Sequence, residues 1–186
     1  MSTWAQQIPD GFRGTERTIQ LMRALARDGG RDERVRRLAG ELTRDLPRRD
    51  YESEARRLLQ HMQRSVRYVR DPWTPDGTER VQHPAVTLFE LGSGDCDCLS
   101  TAYCALCGAL GAPYAFRTIG TDPWNRNHFS HVYSLVFVGP YSTGRWVPAD
   151  PSFGEALGWE PPLDTERASP LAATPGRAAV RRDWAA

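Results

Sequence analysis

Lysine is missing from this chain: all 24 basic residues among its 186 are arginine. Without a lysine, no side chain offers a primary amine, so an isopeptide bond between two copies could use only the N-terminal amine. The absence itself reads as a GC-rich coding bias rather than a physical requirement. Long apolar runs are missing too, and no stretch approaches the length of a membrane span. The opening residues, "MSTWAQQIPDGFRG", have neither the charged nor the apolar region of a secretory signal, so a protein made in a cytoplasm is expected. Charge of one sign is not in excess. A net charge of +1 gives no electrostatic reason for a nucleic-acid or anionic-membrane partner.

What remains is an ordinary soluble composition, 40% hydrophobic and 25% charged, long enough to bury a real core. The feature out of the ordinary is "GSGDCDCLSTAYCALCGALGAP", which holds all 4 cysteines between two glycine turns. They could be metal ligands, disulfide partners, or one reactive thiol among bystanders.

The surrounding pattern narrows the choice. Residues 1–14 are polar with Pro9 and Gly11 and read as an arm. Residues 15–65 read as helical. Ile19, Leu21, Met22 and Leu25 fall at near-helical spacing before an Asp-Gly-Gly stop. Val35, Leu38 and Leu42 make a second stripe after an Asp32 cap, and Ala55, Leu58, Leu59 and Met62 a third after Asp50. Residues 66–160 form the expected core. Its first part is a short β-like "VRYVRD", a loop "PWTPDGTERVQHP" and a lead-in "AVTLFELGSG". From Cys96 to Leu110 small and apolar residues run without a break, which reads as a buried helix. "YAFRTIG", "SHVYSLVFV" and "GRWVPA" follow as strands, the last two antiparallel across "GPYST". Residues 161–186, rich in Pro, Ala and Arg, read as an extended tail. The expected class is α+β.

Disulfides are disfavoured by a reducing compartment and by helical geometry. Zinc, using C-x-C-x5-C-x2-C with His128 or His131, is disfavoured because the last cysteine pair sits mid-helix rather than on a turn. A reactive thiol fits better. "GSGD" can deliver Cys96 to a helix N-terminus, where backbone N–H groups favour a thiolate, while Cys98, Cys104 and Cys107 lie within the helix as small apolar residues. Asp95 and Asp97 are helix-start residues whose charges oppose ionisation of the thiol, so an imidazole partner is needed. His131 heads one strand, and Asp150 ends the run expected beside it. If those strands pair and pack on the cysteine helix, Cys96, His131 and Asp150 converge. An oxyanion would need donors, for which the Cys96 backbone N–H and the Gln82 amide are candidates, an ordinary loop glutamine being the plainer reading of the latter. His61, His83 and His128 read as solvated. Trp73, Trp124 and Trp146 could wall a cleft, Trp146 more readily as packing beside it.

"GDCDCLSTAYCALCGALGAPYAFRTIG", "HVYSLV" and "WVPADPS", in this order, resemble the transglutaminase-like superfamily of papain-like cysteine enzymes. With "VRYVRD" and "VQHPAVTL" ahead of the cysteine, the pattern over residues 66–153 is most similar to the short versions encoded by tailed phages and prophages. The resemblance implies a papain-like core with Cys96 as nucleophile, His131 as general base and acid, and Asp150 as the orienting carboxylate. It implies no cofactor and no metal. Cys98 departs from the pattern, which often has an aspartate there. The implied function is a thiol enzyme acting on amide or peptide bonds of a protein or peptide substrate through an acyl-thioester, hydrolytic rather than crosslinking. The alternative is a phage virion component, in neck, tail or baseplate, that uses the fold to bind other virion proteins.

Overall fold

The computed structural model describes residues 3–7, 12–71, 78–120, 129–160 and 180–185. At its centre is one helix, α4 (Cys96–Ala109), apolar around its whole circumference and buried on all sides beyond its first residue as far as Cys107. Three amphipathic helices cover it: α1 (Phe12–Gly29), α2 (Glu33–Thr43) and α3 (Tyr51–Ser65). Each turns an apolar stripe inward, including Ile19, Met22 and Leu25 of α1, Val35 and Ala39 of α2, and Leu58, Leu59 and Met62 of α3. The aspartates before α2 and α3 act as caps, Asp32 accepting from the Arg34 N–H at 2.8 Å and Asp50 from the Ser53 N–H at 3.3 Å. The buried Tyr103 of α4 donates its hydroxyl to the Ala55 carbonyl of α3 at 3.1 Å, fixing how these helices sit on each other.

The far side of α4 packs on a four-stranded antiparallel sheet ordered β7-β6-β5-β8, from β5 (Tyr114–Gly120), β6 (His131–Val138), β7 (Arg145–Ala149) and β8 (Val180–Ala185). β6 lies inside the sheet and against α4, which explains its unbroken burial from Val132 to Val136. Two small pairings flank the helix start. β1 (Thr3–Gln7) runs antiparallel to β3 (Thr78–Gln82), and β2 (Arg67–Tyr68) runs parallel to β4 (Ser93–Gly94). Between β3 and β4, residues Val86–Leu91 form a π-helix that ends at Gly92 in the left-handed conformation, φ 59°, which glycine adopts freely.

Three segments depart from the sequence expectation. Thr3–Gln7, expected in an arm, form β1, and Thr78–Gln82, expected in a loop, form its partner; each supplies the other's ladder bonds. Within the expected tail, Val180–Ala185 pair with β5 along the sheet edge. There Arg182 lies 4.3 Å from the centre of the Phe12 ring and 4.6 Å from that of Trp184, joining the start of α1 to β8 by cation–π contacts. Arg117 of β5 pairs with Asp183 of β8 and, at 2.7 Å, with Glu160. His83 is also not solvated: it is buried, its Nε2 lies 3.3 Å from Asp28, and its Nδ1 accepts from the Ala85 N–H. His61 is half-buried, which holds its imidazole below the usual histidine range. No helix among the described residues is long and apolar enough to cross a membrane.

Candidate active site

Cys96 is the first residue of α4, half-buried, with Asp95 as N-cap accepting from the Cys98 N–H at 3.4 Å. Placing it there requires Gly94. A Cβ on that residue would stand 2.6 Å from the Cys98 Cβ, so only glycine lets β4 run this close to the first turn of α4. The thiol reaches across to β6, where the Val132 backbone N–H donates to it. Val132 directly follows His131, so the thiol lies against the strand residue next to the histidine.

His131 and Asp150 are joined by the register of β6 and β7. Ser134 pairs with Ala149, which leaves Asp150 one step beyond the ladder, level with Tyr133 and on the His131 side of it. The His131 Nε2 lies 2.6 Å from the Asp150 Oδ2. Asp150 is only 3% exposed and its other oxygen accepts from the Ser152 N–H at 2.9 Å, so a buried carboxylate holds both the position and the tautomer of the imidazole. This contact engages Nε2 and leaves Nδ1 as the other ring nitrogen. The ring stacks on Tyr133, centroids 6.0 Å apart, and takes Phe153 edge-on at 5.4 Å.

Electrostatics at the thiol are adverse. Burial, then the charges of Asp97, Asp95 and Asp150, push the Cys96 thiol well above the ordinary cysteine range, against one relieving contact from the Val132 N–H. The protonated thiol is therefore the favoured form. The other cysteines are inert for a simpler reason: all are buried, and burial comes first in raising each thiol, that of Cys107 to about 12. All 4 are free thiols.

Cys98 has a structural task. Its Sγ accepts from the Gln82 N–H at 3.3 Å and faces the Arg80 carbonyl at 3.6 Å, clipping α4 to β3. Gln82 lies at the end of β3 with its Oε1 3.5 Å from the position a Gly94 Cβ would take, beside the segment that leads into Cys96. Asp95, Asp97 and Cys98 bring ligand-type atoms within 4.8 Å of one another. Asp95 caps α4 and Cys98 holds β3, so both serve the start of the helix.

Sequence reasoning missed Gln63. From α3 its Nε2 reaches three carbonyls of the loop after β7: Asp150 at 3.4 Å, Phe153 at 2.6 Å and Glu155 at 2.8 Å. Nothing local marks it, since it reads as one more polar residue on a helix. Tyr68 was missed as well. It lies exposed on β2, near enough to Cys96 and Asp95 that, after burial, their charges raise its phenol. Trp146 is half exposed and meets Phe137 edge-on along β6 and β7. His128, Trp73 and Trp124 lie outside the described residues.

Residues 36–151 match the family model of the transglutaminase-like superfamily, a span that runs from α2 through Cys96 and His131 to one residue past Asp150. The chain belongs to this superfamily. Two solved structures agree on the fold. A candidate cysteine protease from Cytophaga hutchinsonii superposes with a TM-score of 0.50 at 17% identity over 81% of this chain and 42% of that one. A candidate protease from Parabacteroides distasonis does so with a TM-score of 0.50 at 12% identity over 78% and 32%. Legionella pneumophila LapG gives a TM-score of 0.49 at 14% identity over 97% and 90%. The chain thus spans less than half the length of the first two. No curated protein sequence matches it. The superfamily assignment covers the α+β core, while the phage association expected from sequence finds no support in these relatives.

Proposed function

We propose that this transglutaminase-like protein is a thiol hydrolase of amide or peptide bonds, with Cys96 as nucleophile, His131 as base and acid, and Asp150 as the carboxylate that orients the imidazole. The observation that carries this reading is the 2.6 Å contact between His131 Nε2 and Asp150 Oδ2, made beside a cysteine that opens a helix. In the first half-reaction His131 Nδ1 takes the Cys96 proton as Sγ attacks the carbonyl carbon. The carbonyl π pair moves to oxygen, where the Cys96 backbone N–H and the Gln82 amide are the donors. Collapse breaks the C–N bond, His131 returns the proton to the leaving amine, and an acyl-thioester remains. Water, deprotonated by His131, then attacks the thioester and releases the acid and the thiol. Asp150 holds the ring in place and stabilises the imidazolium. Water is the proposed acceptor because it needs no site of its own. The protease-like fold makes an extended peptide the proposed substrate, and the exposed Tyr68 and Phe153, on the Cys96 and His131 sides of the site, are surfaces it could meet.

The test is digestion of a denatured proteome in H₂¹⁸O followed by peptide mass spectrometry. New C-termini carrying ¹⁸O are expected with the wild type, none with Cys96→Ala, and about 10²-fold to 10⁴-fold fewer with Asp150→Asn, as for other triads. Cleavage that persists in Cys96→Ala would overturn the proposal. A chain that cleaves nothing, and whose Cys96 is no more reactive than a buried thiol, would point instead to the fold serving as a binding module.

A further inference from the structure

The side chain of Gln82 is held from one end. Thr87, fully buried on the π-helix Val86–Leu91, donates its hydroxyl to the Gln82 Oε1 at 3.0 Å. A threonine five residues after a glutamine reaches back to it only because of what lies between. His83 receives the Ala85 N–H on Nδ1 and the Val86 and Thr87 N–H groups on its carbonyl, so the chain turns sharply after β3 and enters the wide π turn. Such turns recur at functional sites because they re-aim a side chain at the cost of regular helix bonding. On the other side of Gln82 its backbone N–H is fixed to the Cys98 thiol at 3.3 Å. One residue is therefore gripped at backbone and at side-chain carbonyl, next to Gly94.

We infer that Thr87 is a positioning residue of the site: by occupying the Gln82 carbonyl oxygen, it leaves the amide NH₂ as the end offered to an oxyanion at Cys96. A glutamine can present either end of its amide, and only the NH₂ end can donate. A hydroxyl could also accept from that NH₂, but Thr87 faces the oxygen in this arrangement. Were the amide free to turn over, the oxyanion would meet a carbonyl oxygen for part of the time, which repels it. The inference rests on the proposed thiol chemistry and adds to it a residue that never touches substrate.

The experiment uses a peptide that the wild type cleaves, found by ¹⁸O labelling, and compares Gln82→Ala, Thr87→Val, Thr87→Ser and the double variant Gln82→Ala/Thr87→Val. Valine keeps the shape of threonine and removes only the hydroxyl. Loss of an oxyanion donor lowers kcat by about 10²-fold, so this is expected of Gln82→Ala, with about tenfold for Thr87→Val. KM should stay within about twofold, because a transition-state contact is absent from the ground state. Thr87→Ser should restore kcat. The double variant should be no slower than Gln82→Ala alone, since Thr87 acts only through Gln82.

Alkylation of Cys96 by iodoacetamide forms no oxyanion and should run at the wild-type rate in all four variants. That arm separates the two readings. A wild-type Cys96 that alkylates as an ordinary buried thiol sinks the hydrolase reading and this inference with it. Unchanged alkylation with a Thr87→Val kcat equal to wild type overturns the inference alone, and so does a double variant that is about tenfold slower than Gln82→Ala.

Discussion

Ser100 and Ser134 bracket the junction of α4 and β6. The Ser134 hydroxyl donates to the Ser100 carbonyl at 3.3 Å, and the Ser100 hydroxyl donates to the Val132 carbonyl at 3.3 Å. Both residues are fully buried. The bracket lies one turn along from Cys96 and three residues along from His131, so it fixes the helix that carries the thiol to the strand that carries the imidazole.

Ser134→Ala should therefore cost more than its volume suggests. Losing one buried hydrogen bond is worth about 1 kcal/mol. For a chain of this size that is a fall in Tm of about 2–4 °C. Ser100→Ala/Ser134→Ala should lose about twice as much and slow Cys96 alkylation along with it. Thermal unfolding and alkylation rates, measured on the same preparations, check both. Unchanged alkylation in a destabilised double variant would show that the bracket supports the fold and not the alignment of the thiol with His131.

Gly94→Ala is expected to destabilise by about 1–3 kcal/mol, the usual cost of forcing an extra carbon into a packed site. The added carbon would meet the Cys98 Cβ at 2.6 Å, an atom that alanine also has. Cys98→Ala should accordingly fail to rescue Gly94→Ala, whereas a Gly94→Ala/Cys98→Gly pair should recover part of the loss. Denaturant unfolding of the four proteins separates this steric account from one based on backbone flexibility.

Glu54 shapes the acid side of the stability profile. It is buried on α3, its Oε2 has no hydrogen-bond partner among the described residues, and burial raises its carboxyl above the usual glutamate value, aided by Asp50 and opposed by the Arg49 N–H. A raised folded-state pKa means that the folded protein holds this proton more tightly than the unfolded chain does. Glu54 therefore carries no ionisation penalty at low pH, and its contribution falls as pH rises from the unfolded value through the folded one. Glu54→Gln should lack that fall. Its stability relative to wild type should grow with pH across the carboxylate range, as read by urea unfolding at several pH values; a difference independent of pH would contradict the assignment.

How much of this was legible in sequence depended on whether the signal was local. Asp32 and Asp50 mark helix starts because a cap satisfies N–H groups two or three residues away. The helix from Cys96 was legible because apolar residues on every face have nowhere to go but the core. β6 and β7 were legible from their composition and short connection, and with them the approach of His131 to Asp150. β1 and β8 were not, because neither "TWAQQ" nor "VRRDWA" alternates cleanly, and each is a strand only through a distant partner, β3 and β5 respectively. Gln63 and Thr87 were hidden for different reasons. Gln63 acts on carbonyls 87 or more residues away. Thr87 acts on a close neighbour, but through a π turn that no residue pattern announced. His83 read as solvated from its loop composition, and only the packing of α1 against β3 buries it.

The most direct measurement of the central claim is the rate of iodoacetamide alkylation against pH, read cysteine by cysteine by peptide mass spectrometry, on the wild type and on His131→Ala. In the wild type, Cys96 alone should react quickly below pH 7, because His131 holds the proton that the thiol gives up. In His131→Ala that reactivity should vanish and return only above the ordinary cysteine range, since burial and the charges of Asp97 and Asp95 then act unopposed by an imidazolium. The same profile for Cys96 in both proteins, or equal slow labelling of all 4 cysteines, would contradict a thiolate–imidazolium pair at the head of α4.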